Sequence, residues 1–96
     1  MPDGRAAPRT FALHWGSGHI AEEASYAGPY HEPRIQLLEF TEGKAAGTVA
    51  VRFCFYDLRG RFQRNPLIVD EGDIDGLREA LRRTPRLRAL LRRLVE

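Results

Sequence analysis

Arginine and aromatic side chains are interleaved in one short stretch of the chain, between residues 52 and 64. The side chains concerned are Arg52, Tyr56, Arg59, Arg61, Phe62 and Arg64. Guanidinium groups pair with phosphates and aromatic rings stack on unpaired bases, so this combination is typical of a surface that binds a single nucleic-acid strand. Each stacked base contributes about 1–3 kcal/mol to such binding. The alternative is a solvated hairpin tip whose two rings belong partly to the core.

The histidines and the single cysteine form no recognisable metal or catalytic motif. Zinc sites place Cys or His in close pairs, whereas His14 and His19 are five residues apart and His31 stands alone. Ser17 lies in Gly-Ser-Gly-His, which is not the nucleophile elbow of a hydrolase. We therefore predict no metal, no cofactor and no enzymatic activity. An enzyme based on the histidines would need them to converge on one pocket.

Length and composition are those of one small globular domain. The 96 residues are 43% hydrophobic and 29% charged, which argues against wholesale disorder. A single cysteine, Cys54, excludes an internal disulfide framework and makes the cytoplasm the expected location. No apolar run approaches the roughly 18 residues of a membrane span, so we expect no membrane partner. Residues 1–10 are predicted to be a flexible tail and residues 11–96 a single domain.

Basic charge is concentrated in the second half of the chain, although the net charge is only +2. Residues 49–96 contain eleven arginines and seven acidic side chains, against four basic and six acidic side chains in residues 1–48. Such an asymmetry favours a phosphate-facing surface. The alternative is a solvated helix face in a proteome that prefers arginine, since Lys44 is the only lysine.

Alternating apolar residues predict strands over residues 11–15, 35–40, 49–56 and 61–69. In the second of these, Ile35 and Leu37 share one face and Leu38 and Phe40 share the other. The clearest strand is 49–56, and its expected core face consists of Val49, Val51, Phe53 and Phe55.

Glycine and proline residues mark the expected interruptions of the sheet. Residues 57–60 form a hairpin turn in which Gly60 can adopt a positive φ. Pro66 makes the last strand an edge strand or introduces a bulge. Gly16 and Gly18 end the first strand, and residues 20–30 are expected to be irregular, with strand-like structure near Ser25-Tyr26 as the alternative.

A helix with Asp70 as its N-cap follows the strands, with Ile74, Leu77 and Leu81 as its apolar stripe. Thr84-Pro85 then restarts the helix. The second stripe contains Leu87, Leu90, Leu91 and Leu94. One interpretation of this stripe is a helix packed on the sheet, and the other is a dimer seam. The number of leucines favours contact of some of them with a partner chain. The predicted fold class is α+β: an antiparallel sheet of three or four strands followed by a C-terminal helix, continuous or broken at Thr84-Pro85.

A succession of motifs in residues 35–81 matches a known pattern. The motifs are Ile35-x-Leu37-x-x-Phe40 before Gly43, Val49-x-Val51-Arg52 with Phe55 three residues on, the turn at Gly60, and Leu67-Ile68-Val69-Asp70 running into the helix. In this order they resemble the C-terminal domain of the transcriptional coactivator positive cofactor four and its bacterial relatives. Arg64-Asn65-Pro66 stands where that family has Lys-Lys-Gly.

The resemblance implies a curved sheet backed by a helix, a homodimer, and single-stranded DNA or RNA bound along the sheet. We therefore predict a single-stranded nucleic-acid-binding protein of low sequence specificity, related to transcription. The predicted contact residues are Phe40, Arg52, Phe55, Tyr56, Arg61 and Arg64. Strict alternation puts Arg52 and Phe55 on opposite faces, so both can contact the strand only if the backbone twists or bulges.

The alternative is a small homodimeric protein-interaction module that uses the Leu87–Leu94 helix. In this module the arginines only keep the surface hydrated and bind no ligand. The positions of the arginines discriminate between the two hypotheses. Clustering of the hairpin arginines on one concave face favours nucleic acid. Dispersion around a rim, with exposed leucines on the helix, favours a protein partner.

Overall fold

The computed structural model describes residues 9–64, 67–69 and 71–96 of the chain. In these ranges the chain forms β1 (Thr10–Leu13), β2 (Gly16–Ser25), β3 (Glu32–Gly43), β4 (Val49–Tyr56), β5 (Phe62–Gln63), α1 (Glu71–Leu81) and α2 (Pro85–Val95). The strands form one antiparallel sheet in chain order. The predicted α+β class is confirmed, with five strands rather than three or four and with two separate helices.

Four sequence-based predictions fall wholly or partly on residues outside the described ranges. Most of the predicted tail lies there, although Thr10 already belongs to β1. The predicted N-cap Asp70 and the predicted interruption at Pro66 lie there as well. The fourth is the predicted strand 61–69, which in its described part is a strand only at Phe62–Gln63.

The prediction of irregular structure in residues 20–30 was wrong for most of that segment, because β2 continues to Ser25. Gly16 and Gly18 do not end a strand but lie inside β2. A β-carbon at Gly18 would overlap the carbonyl oxygen of Glu39, so only glycine allows the two strands to approach this closely. The β2–β3 register shifts between Ser17 and Gly18 and again after Ile20, as at β-bulges.

Strand β3 is buried on both faces, and its side chains divide between these faces as the alternation in residues 35–40 predicted. On one face, which we call the outer face, Ile35 and Leu37 pack against the helices. On the opposite, inner face, Leu38 and Phe40 pack with Phe11 of β1. The sheet therefore carries one apolar cluster on each face, and within the described ranges the inner cluster is formed by the strands and the β3–β4 loop alone.

The predicted core face of β4 was only partly right. Phe53 points to the outer face but is 50% exposed, whereas Cys54 and Tyr56 on the inner face are buried. The helices cover only part of the outer face. The sheet curls over its own inner face, because Arg9 beside β1 reaches Tyr56 on β4, three strands away.

Both helices pack on the outer face, and their apolar stripes are covered unequally. In α1, Leu77 is buried but Ile74 is 51% exposed. Gly76 lies so close to the Tyr26 ring that a β-carbon there would overlap it. No helix in the described ranges is long and apolar enough to cross a membrane.

The start of α2 is capped from the sheet. The helix begins at Pro85 after Thr84, as predicted, but the Thr84 side chain makes no capping hydrogen bond. Instead, the backbone N–H of Leu87 donates to Glu22 Oε1 at 2.9 Å. A carboxylate at this position both satisfies a free N–H group and complements the helix dipole.

The predicted turn at residues 57–60 is confirmed. Gly60 has φ of 82°, and its N–H donates to the carbonyl oxygen of Asp57 at 2.9 Å. Asp57 Oδ1 also accepts hydrogen bonds from the backbone N–H groups of Arg59 and Arg61, both at 2.9 Å. These contacts hold the pKa of Asp57 below its usual value, with the Arg61 N–H as the main cause.

Candidate functional site

The structure does not gather the six predicted nucleic-acid contacts into one exposed surface. Phe40 is buried in the inner apolar cluster, where its ring meets that of Phe11 edge-on at 5.0 Å. Tyr56 is buried as well, and its hydroxyl accepts a hydrogen bond from Arg9 at 2.7 Å. Neither ring offers a free face on which a base could stack.

The remaining predicted contacts lie in separate places. The β3–β4 register is continuous, so no bulge in β4 brings Phe55 to the face of Arg52. Phe55 lies on the outer face beside His31, with ring centroids 5.2 Å apart. Arg61 pairs with Asp57 at 3.0 Å at the hairpin tip, and Arg64 is exposed.

Among the predicted contact residues, Arg52 is held by two specific contacts of its guanidinium. Its Nε donates to Gln36 Oε1 at 2.8 Å, and its guanidinium lies 5.0 Å from the centroid of the Phe62 ring. A guanidinium that is hydrogen-bonded on one edge and stacked on a ring loses little side-chain conformational entropy when it binds an anion.

Arg52 belongs to a polar cluster on the inner face, formed by Arg9, Glu23, Arg34, Gln36, Arg52 and Tyr56. Glu23 is its centre, because its carboxylate accepts hydrogen bonds from Arg9, from Arg34 and from Gln36. The Arg34 guanidinium also pairs with Glu32 and lies 3.9 Å from the centroid of the Tyr56 ring. Arg34 is 1% exposed, so these partners must compensate a large loss of hydration.

Sequence reasoning missed the centre of this cluster. The residues concerned are Glu23, Arg34 and Gln36. The available signal was the polar spacing of residues 32, 34 and 36, which places polar groups on a single face of a strand. The position of Glu23 opposite Gln36 depends on the bulge after Ile20, which no periodicity reveals.

Cys54 lies on the same inner face and is buried. Burial raises the pKa of its thiol, and the neighbouring Arg52 opposes that shift only in part. The thiol is therefore protonated at neutral pH, which argues against a role as a nucleophile or metal ligand.

The histidines have separate partners. His19 Nε2 lies 2.7 Å from a carboxylate oxygen of Glu39, while His31 Nε2 lies 3.0 Å from the carbonyl oxygen of Ile68. The pKa of Glu39 is lowered chiefly by its hydrogen bond from Arg86 on α2. His14 is exposed beyond the end of β1. Among the described residues, no group of three or more His, Cys, Asp or Glu side chains is placed to hold a metal ion.

A concave surface lies on the outer face, where the helices leave the sheet uncovered. This groove has a volume of about 660 Å³. Its apolar walls come from β3, β4, the segment before α1, and both helices. They include Ile35, Phe53, Ile74, Leu77, Leu81 and Leu91. Phe53 and Ile74 are each about half exposed within it, so the groove is an accessible apolar surface.

Four arginines line the same groove: Arg78, Arg82, Arg88 and Arg92. Arg82 pairs with Glu79 at 3.4 Å, and both of these side chains are exposed. The other three form no ion pair with any residue in the described part of the chain. We call this apolar surface, together with its four arginines, the arginine-rimmed groove.

Sequence reasoning found the components of the groove but not their arrangement. Some leucines of the α2 stripe were expected to meet a partner; Leu87 is fully buried within the protein, whereas Leu94 is 73% exposed. The contribution of Phe53 was missed, because alternation along β4 assigned it to the core.

Comparisons with known proteins add no assignment to this geometry. No family model matches the chain, and neither a curated protein nor a solved structure matches it significantly.

Proposed function

We propose that this protein is a protein-interaction module whose binding site is the arginine-rimmed groove and whose ligand is an α-helical segment of another protein. One observation carries the proposal: Phe53 and Ile74 expose about half of their surface in a groove whose other lining residues are apolar side chains and four arginines. Covering such side chains contributes about 25 cal/mol for each Å² of apolar surface removed from water.

A helix is favoured over an extended segment because of its backbone. An apolar groove offers few partners for free N–H and C=O groups, and leaving such groups buried and unpaired is costly. A helix satisfies these groups internally and presents only an apolar stripe to the groove. Helix-in-groove binding by residues spaced three and four apart is a recurrent mode of recognition.

The test uses a fluorescein-labelled peptide of about 18 residues, long enough to form a helix of about 27 Å. Its leucines occupy one helical face and its other positions are glutamine. We expect anisotropy to show saturable binding that is lost in a Phe53→Gln, Ile74→Gln variant. Val49→Gln is the matched control, because Val49 is 45% exposed on the same strand but does not line the groove. Absence of binding, or equal binding by every variant, would contradict the proposal.

The homodimer predicted from the sequence is a competing occupant of the same groove. A second copy would bring its own arginines, since residues 82–96 contain six arginines and one glutamate. Arginine rims that face each other repel, which favours a different partner. Sedimentation equilibrium decides between the two. A monomer supports the proposed module, whereas a dimer that dissociates in the Phe53→Gln, Ile74→Gln variant would overturn it.

Single-stranded nucleic-acid binding is a second candidate, favoured by one specific observation. The Arg52 guanidinium is held by Gln36 and stacked on Phe62, and the Phe62 ring is 43% exposed beside it. The test is fluorescence anisotropy of a labelled single strand of about 20 nucleotides at low and moderate salt. Binding that weakens with salt and in an Arg61→Ala, Arg64→Ala variant would support this function. No binding at low salt would exclude it.

A further inference from the structure

We infer that the helix that binds the groove is acidic and amphipathic, with carboxylates along both edges of its apolar stripe. This inference rests on the proposed function and specifies the chemistry of the partner. It follows from the placement of the four rim arginines relative to the apolar surface between them.

The arginines form two rows, one on each helical wall. Arg78 lies in the last turn of α1 and Arg82 directly after its last residue, Leu81, whereas Arg88 and Arg92 are four residues apart within α2. Side chains with this spacing lie on one helix face, with about 5–6 Å between their β-carbons. Arginines from the α1 side and from the α2 side therefore line the groove together with its apolar side chains.

An amphipathic helix has a matching pattern. Its apolar stripe spans a limited arc, and the residues that flank the stripe recur three and four positions apart on either side. Glutamates at these flanking positions would meet the two arginine rows while leucines or isoleucines cover Phe53 and Ile74. Arginine suits this role because its planar fork binds a carboxylate through two hydrogen bonds.

The ion pairing of the four groove arginines favours a carboxylate from a partner. Arg78, Arg88 and Arg92 form no ion pair with any residue that the structure describes. The Arg82–Glu79 pair is exposed at both ends, so its exchange for a partner carboxylate costs little. Closing the groove would also remove water around these groups and strengthen the new pairs.

Other anionic ligands fit less well. A fatty acid or lipid carries its charge at one end and would leave one arginine row without a partner. A nucleic-acid strand would meet both rows but has no apolar stripe for Phe53 and Ile74. The two rows and the apolar strip between them therefore fit an acidic helix best.

The experiment compares three labelled peptides of about 18 residues that share one leucine stripe and differ only at the flanking positions, which are Glu, Gln or Lys. We expect the Glu peptide to bind the wild-type protein at least about tenfold more tightly than the Gln peptide at low salt, and the Lys peptide more weakly than either. The advantage of the Glu peptide should shrink as salt screens the pairs.

Two double variants distinguish the effect of the groove arginines on binding from the effect of the protein's net charge. Arg88→Gln, Arg92→Gln removes two charges from the groove, and Arg83→Gln, Arg93→Gln removes two charges from exposed positions outside it. We expect the first variant to lose most of its preference for the Glu peptide over the Gln peptide while still binding the Gln peptide. The second variant should keep that preference. Circular dichroism checks that both variants are folded.

The outcomes distinguish this inference from the function on which it rests. If the Gln and Glu peptides bind equally, the interaction module stands and the acidic partner is refuted. If both double variants lose the preference equally, net charge alone explains it and the inference is refuted. If neither peptide binds, the proposed function itself is refuted. Tighter binding to anionic lipid vesicles than to the Glu peptide would assign the groove to a lipid and overturn the inference.

Discussion

Glu22 of β2 and Leu87 of α2 are joined by a hydrogen bond in which the backbone N–H of Leu87 donates to Glu22 Oε1 at 2.9 Å. This contact fixes the start of α2 on the sheet. The Arg86–Glu39 ion pair, at 2.7 Å, holds the same end of the helix. Since α2 forms one wall of the arginine-rimmed groove, both contacts position the proposed binding site.

Removing the Glu22 carboxylate should therefore loosen α2. We expect Glu22→Ala to lower the free energy of unfolding by about 1 kcal/mol, the typical value of a helix N-cap. Glu22→Gln should cost less, because its amide oxygen still accepts the hydrogen bond. Urea denaturation followed by circular dichroism measures both. Glu42→Ala, which removes an exposed carboxylate at the end of β3, is the control, and an equal loss there would contradict the capping role.

The adjacent residue, Glu23, acts on the opposite face of the sheet. We expect Glu23→Gln to lower the free energy of unfolding by about 3 kcal/mol, because it takes the central negative charge away from a buried arginine. Arg34 is 1% exposed and cannot regain its hydration without unfolding. A loss below about 1 kcal/mol, as is usual for an exposed ion pair, would show that the cluster is not a buried network.

The sequence predicted the faces of the strands better than their burial. Along β3 the separation of Ile35 and Leu37 from Leu38 and Phe40 is confirmed, because side chains alternate in any extended strand. Along β4 the same alternation is present, but the predicted core face contains the half-exposed Phe53. Alternation does not reveal which face is covered, and here the curl of the sheet covers the inner one.

The roles of Glu22 and Glu23 could not be read from the sequence. Two neighbouring glutamates look equivalent there, yet one caps a helix and the other anchors a polar cluster. Their separation depends on tertiary contacts across the sheet and on the register shift after Ile20. The arginine-rimmed groove depends likewise on how α1 and α2 pack, whereas the start of α2 at Thr84-Pro85 and the turn at Gly60 are local and were predicted.

Burial of Cys54 has a chemical consequence. Because burial raises the pKa of the thiol, little thiolate is present in the folded protein at pH 8. We expect dithiobis-nitrobenzoate to react with the native protein at least about 100-fold more slowly than with the protein unfolded in urea. Equal rates in the two states would show that the thiol is accessible and that the inner face is open.

The Asp57 turn gives the β4–β5 hairpin a defined dependence on pH. The pKa of Asp57 in the folded protein lies below its usual value of 3.8, so its ionised form stabilises the fold above about that pH. This contribution is lost as the pH falls through the lowered pKa. The stability difference between the wild type and Asp57→Ala should therefore shrink as the pH falls from 6 towards ~2. Urea denaturation along that range measures it, and a difference that grows at low pH would contradict the assignment.

The most direct test of the binding site is a map of its contacts on the protein. ¹H–¹⁵N correlation spectra are recorded while the Glu-flanked peptide is titrated into the labelled protein. We predict that the largest shift changes occur around Phe53, Ile74, Leu81 and Leu91, with little change at the 57–60 turn. Changes centred on the turn and on Arg52, with the groove unaffected, would contradict the account and favour a binding site on the inner face.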